Sequence, residues 1–180
     1  MATATAATPA PQLTPEQAVA IRDFLVSNIR REFSTTKKVI AAIPENKKDH
    51  RHDAKSKTAH ELAWHIVSAD VGLAEAIAAG SFAGLDGPRP AAPATVAEIN
   101  AWYDKHFPGA LEKVAKLDGK QLLSMIDFRG LIQMPALQFV MTLLNNHSVH
   151  HRAQLSTYLR PMGSKCPSIY GPSADTPVGA

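Results

Sequence analysis

The chain has 180 residues, 45% of them apolar, a formal net charge of +3 and one cysteine. That length and apolar share suit one domain with its own core and exclude a mostly disordered chain. A single cysteine excludes an internal disulfide framework.

Residues 1–13, rich in Ala, Thr and Pro, read as a flexible arm. They lack the basic start and apolar stretch of a secretory signal. No apolar run reaches the roughly 18 residues that span a membrane, so cytoplasm is the expected location. Lysines and arginines are scattered. The richest stretch, Lys47, Lys48, His50, Arg51, His52, Lys55 and Lys57, has no reading helix or stacking aromatics beside it. It reads as a solvated loop, and a nucleic-acid partner is not expected.

Thr14-Pro15-Glu16 opens a first helix, with Thr as N-cap and Pro at the first helical position. Apolar residues from Val19 to Ile43 recur with helical spacing up to Pro44. A polar loop follows, and Ser56 or Thr58 caps a second helix running to about Gly80. Thr95 with Glu98 is a capping box for a third helix, reaching roughly Leu117 with a kink or interruption at Pro108. Residues 120–134 are open between a short strand pair and an irregular loop. Pro135 begins a fourth long helix, stopped by Pro161 and Gly163. Residues 164–180 form an extended tail that packs near Tyr170 and then frays. Cys166, in that tail, reads as incidental. The expected architecture is all-α: a four-helix bundle over residues 14–163, with a short irregular or strand-like connection before the last helix.

Eight histidines raise the question of which point inward. On the second helix, Leu62, Ile66, Ala69 and Leu73 define an apolar stripe. At about 100° per residue, His65 falls roughly 60° from its centre and His60 roughly 160° away. His65 can therefore face the interior, and His60 is a surface residue. On the fourth helix, Ala136, Val140, Leu143, Leu144, His147, His151 and Tyr158 form the stripe, with His147 near its centre. His147 and His151, at i and i+4, present both imidazoles on one face, where one ion can reach both. His150 lies at the edge and is the substitute ligand if the helix is rotated. Buried imidazoles close together would repel when protonated, and a metal ion uses their neutral form.

The segment Asn146-His147-Ser148-Val149-His150-His151-Arg152-Ala153-Gln154-Leu155 resembles the C-terminal signature of the DinB-like (YfiT-like) family: a histidine, three residues, then His-Arg-Gly-Gln-Leu/Ile. Glu61-Leu62-Ala63-Trp64-His65-Ile66 resembles the family's second-helix motif. The resemblance spans about residues 15–163, and Ala153 stands where the family often has Gly. It implies a DinB-like four-helix bundle of unusual connectivity, usually a homodimer. It also implies a divalent ion, zinc or nickel, held by His65, His147 and His151.

Three nitrogen ligands leave an ion at least one open position, which favours chemistry over stapling. Gln154 is a candidate assistant. Glu61 and Asp70, each about one turn from His65, are candidates to orient an imidazole or else to cap or be solvated. Arg152 faces away from the stripe, toward a surface or inter-helix ion pair. Trp64 and Tyr158 read as packing residues. The expected function is a metal-dependent enzyme of thiol-transferase or hydrolase type, acting on a small molecule and using a low-molecular-weight thiol. The alternative is a non-catalytic metal-binding stress-response protein. Imidazole ligands suit several transition metals, so ligand type alone does not choose among them.

Overall fold

A computed structural model describes residues 13–87 and 90–178. The expected N-terminal arm, Leu13 excepted, lies outside the described residues. Four long helical stretches make the body: α1 (Pro15–Ala41), α2 (Ala59–Ala79), α3 (Val96–Ala115) and a last stretch ending in α6 (Asn146–Leu159). The short helix α4 (Gly119–Leu123), the strands β1 (Met125–Phe128) and β2 (Ile132–Pro135), and α5 (Ala136–Phe139) come between α3 and α6.

Local sequence sets the helix starts. Thr14, Thr58, Thr95 and Asp118 each accept from the backbone N–H three residues on, where Gln17, Glu61, Glu98 and Gln121 reach back to the cap. Each box satisfies two N–H groups that a helix start otherwise leaves open. Of the two candidate caps for α2, Thr58 is the one used. Gly80 ends α2 in the left-handed conformation (φ 69°), which a side chain would strain. α3 runs through Pro108 without interruption.

Residues 120–134 resolve into the end of α4 and an antiparallel hairpin pairing Met125 with Pro135 and Phe128 with Ile132. Arg129 (φ 55°) and Gly130 (φ 68°) make its turn, the left-handed pair that matches strand twist. This hairpin is the strand-like connection expected before the last helix.

The helices pack in a ring. α1 lies against α3 and α6, and α2 lies against the same two, so α1 and α2 face each other across the diagonal. α2 and α3 are neighbours both in sequence and in space, whereas α1 and α2, and likewise α3 and α6, lie across the diagonals, which is the unusual connectivity. The core runs through Leu25, Ile29, Ile40, Ile66, Ile77, Ile99, Phe107, Leu144 and Leu155. By length and composition alone α2 passes as apolar enough to cross a membrane, although charged residues and histidines interrupt it. Half of its most apolar window is buried against the other helices, and it carries Asp70 and His65.

Between α5 and α6 the helix widens into a π segment, Val140–Asn145. The wider turn displaces the face that follows. The buried row after it is Leu144, Ser148, Arg152, Leu155 and Leu159, not the row centred on His147 that an even period predicts. His147 and His151 lie on the shoulder of that row, half-buried. Arg152 does not face away. It is buried, its guanidinium pairs with Glu32 at 2.5 Å, and it also donates to Thr36 Oγ1 and Glu32 O. The ion pair is between helices, as one of the two sequence options had it, and lies in the core rather than on the surface.

Among the described residues, the tail stays pinned past Tyr170 as far as Thr176. The Tyr170 phenol accepts from Arg152 at 2.6 Å and donates to Glu32 at 2.9 Å. Asp175 pairs with Arg160 and accepts from the Cys166 N–H, and Ser173 bridges Thr176.

Candidate metal centre

α2 carries His65, and α6 carries His147 and His151 one turn apart. Packing of these two helices brings the three rings together, with centroids 5.1 Å (His65–His147), 4.5 Å (His65–His151) and 4.4 Å (His147–His151) apart. One nitrogen from each ring lies within 4.8 Å of the other two, and all three side chains are half-buried. Among the described residues this is the cluster of histidine, cysteine or carboxylate side chains able to hold a metal ion.

The donor chemistry fits a transition-metal ion. His65 Nε2 and His151 Nε2 are 3.1 Å apart. Two nitrogens on one tetrahedral ion, at about 2.0–2.1 Å each, would be roughly 3.3 Å apart. His151 Nδ1 donates to Gln154 Oε1 at 2.7 Å. That oxygen only accepts, so the proton is on Nδ1 and the Nε2 lone pair faces His65. His147 Nδ1 is buried and has no hydrogen-bond partner among the described residues.

Electrostatics point the same way. Burial, with the charges of His151, His65 and His150 beside it, pushes the His147 imidazole down to about 4. Burial also lowers His151, against the bond it donates to Gln154. Both rings are therefore held in the neutral form that binds metal.

The other candidates fall elsewhere. His150 is exposed and only packs its ring on His151. His60 is half-buried and binds the carbonyl of Pro93 through Nε2 at 2.9 Å, tethering that loop instead of standing free on the surface. Glu61 closes the capping box of α2 by accepting from the Thr58 N–H, and among the described residues it orients no imidazole. Asp70 is also not an imidazole partner. It is buried in the core and accepts from the Tyr103 hydroxyl. Burial pushes its carboxyl up to about 7 despite that bond. Tyr158 packs on His52 and binds the Lys57 carbonyl, and Trp64 packs edge-on against Trp102. Both are packing residues, as expected.

The chain as a whole has matches among known proteins. The family model described as the DinB family matches residues 19–177. The chain belongs to the DinB family. Among solved structures, a DinB-like protein of Bacillus subtilis superposes with a TM-score of 0.68 at 19% identity, over 82% of this chain and 98% of that one. A DinB-like protein of Bacillus cereus ATCC 10987 gives a TM-score of 0.68 at 25% identity, over 82% of this chain and 97% of that one. No curated protein matches.

Sequence reasoning missed the surroundings of the triad. Ser68, one turn from His65, donates to the Trp64 carbonyl and lines the space beside the histidines. Trp102 reaches the same space from α3. Ser68 was within reach of the helical-spacing argument, at i+3 from His65. Nothing in the sequence marks Trp102.

Proposed function

We propose that this DinB-family protein binds one divalent transition-metal ion, zinc or nickel, through His65, His147 and His151, and that it is a metal-dependent enzyme of thiol-transferase or hydrolase type. The observation that carries the reading is the position of the triad. His65 and His147 form part of the wall of a cavity of about 350 Å³, so two of the three ligands face a space large enough for a small molecule. A structural site is usually closed by a fourth protein ligand, and no carboxylate or thiol among the described residues joins these three nitrogens.

An ion held there supplies Lewis acidity, which favours the deprotonated form of a thiol or a water at neutral pH. The protein's own groups do the rest. Gln154 fixes the tautomer and tilt of His151. Burial keeps His147 neutral, so protons compete weakly for its lone pair. Leu73, Leu85, Trp102 and Leu143 line the cavity with apolar surface. That lining sheds water and strengthens polar interactions at the mouth where the histidines stand.

Cobalt(II) substitution tests the reading. The protein loaded with one Co(II) per chain should show a four- or five-coordinate visible spectrum. That spectrum should gain a sulfur-to-cobalt charge-transfer band when a small thiol such as cysteine is added. A spectrum that no thiol, hydroxamate or anion perturbs would mean a closed site and no chemistry of this kind.

A further inference from the structure

The space beside the triad is not uniform in chemistry. His65 and Ser68 line two depressions at once. Toward the C-terminal end of α2 lies the apolar cavity, walled by Leu73, Leu85, Trp102 and Leu143. Toward the N-terminal end lies a groove of about 440 Å³ walled by Arg51, Lys55, Lys57, Glu61 and Trp64. The shared residues set the two end to end along α2, as a trough from the level of Glu61 to that of Gly72 with His65 and Ser68 at its middle. Eleven residues at 1.5 Å rise give it a length of about 16 Å.

The basic end carries a net excess of positive charge. Lys48 pairs with Glu45, but among the described residues no carboxylate forms an ion pair with Arg51, Lys55 or Lys57. Glu61 shares that wall, held by the Thr58 N–H at 2.8 Å, and its carboxylate offsets part of the charge of Arg51 and Lys57, which leaves three cations facing one anion. Lys57 and Ser56 also line a third groove, which runs to His151 and Gln154. Lys57 therefore stands between two approaches to the triad, while the opposite end of the trough is mainly apolar, its guanidinium, Arg129, being paired with Asp86.

We infer that the substrate is an amphiphilic carboxylate: an apolar or aromatic body seated against Trp102 and Leu85, and a carboxylate held by Arg51 and Lys57. Seated that way, its middle passes His65. The guanidinium fork of Arg51 suits a planar carboxylate, and the two charges set the direction in which the molecule enters. The inference rests on the triad as the reacting centre only for which part of the molecule reacts. The binding of the two ends stands on the trough alone.

The test compares 6-phenylhexanoate with its uncharged amide, 6-phenylhexanamide, by isothermal titration calorimetry on the full chain. The metal content of every preparation is measured separately. The acid should bind roughly five- to tenfold more tightly than the amide, as one or two semi-exposed charge contacts allow, and raised salt should shrink that gap. R51Q/K57Q, changed only at exposed loop positions, should abolish the gap and keep the wild-type metal content. W102A should weaken acid and amide alike. Equal affinity of acid and amide, or a preference that survives in R51Q/K57Q, would overturn the inference even if each chain holds its metal. An acid preference that behaves as described in protein that takes up no metal would support the inference while defeating the metal reading.

Discussion

Gln154 shows how much one side chain outside the ligand set can decide. By accepting from His151 Nδ1 it leaves Nε2 as the lone-pair nitrogen. Gln154→Ala removes that constraint without touching a ligand, and should weaken metal affinity roughly ten- to a hundredfold. Competition with a chromophoric chelator measures this, and unchanged affinity would make Gln154 a bystander. Asp70 makes a separate prediction. Its carboxyl, pushed up to about 7 in the folded protein from 3.8, favours the protonated form. Its contribution is thus fully present below about pH 4 and lost as pH rises through 7. Asp70→Asn keeps an acceptor for the Tyr103 hydroxyl and carries no charge. It should stabilise the protein by on the order of 2–4 kcal/mol at pH 8 and make little difference at pH 4. Denaturant melts at the two pH values check it. At this scale the sequence was partly legible. The three histidines announce themselves by spacing, because i, i+4 and the stripe angle are local properties of a helix. The partners of Asp70 and Arg152 do not, because Tyr103 and Glu32 lie 33 and 120 residues away.

Among the elements, the starts of α1, α2 and α3 were readable because each cap and its reciprocal partner fall within four residues. The π segment was not readable. Nothing in Val140–Asn145 distinguishes it from α-helix, and an even period carried across it places His147 at the centre of the buried face instead of its shoulder. Wide turns of this kind often mark functional positions. Here the widening turns Ser148 and Arg152 into the core and leaves His147 at the edge that meets the cavity and His151 at the groove beside it. α4 depends on one close approach. A Cβ at Gly119 would lie 2.3 Å from the Pro15 carbonyl oxygen and 2.5 Å from Pro15 Cα, and backbone atoms cannot yield as a flexible side chain does. Gly119→Ala should therefore cost about 1–3 kcal/mol as α4 shifts off the start of α1. That corresponds to roughly 2–4 °C of Tm per kcal/mol in a chain of this size. An unchanged Tm would show that the contact relaxes freely.

Across the whole molecule, the all-α bundle was legible because apolar recurrence, caps and breakers agree along the chain. The ring order was not, since it depends on which faces meet rather than on any one face; only the family resemblance pointed to it. That order is what makes the candidate centre. α2 and α6 pack directly, with His65 on one and His147 and His151 on the other, so an ion held there would clip two of the four helices together. Binding only to the folded form raises stability by about 2.7 kcal/mol at a free metal concentration one hundred times Kd.

The most direct measurement is the metal content of tag-free protein after reconstitution with zinc or nickel and removal of excess, for the native chain and for four single alanine variants. The native chain and His60→Ala should each hold about one ion per chain, and His65→Ala, His147→Ala and His151→Ala should hold little or none. A native chain that retains no metal, or a His60→Ala variant that loses it while the three others keep it, would contradict the account.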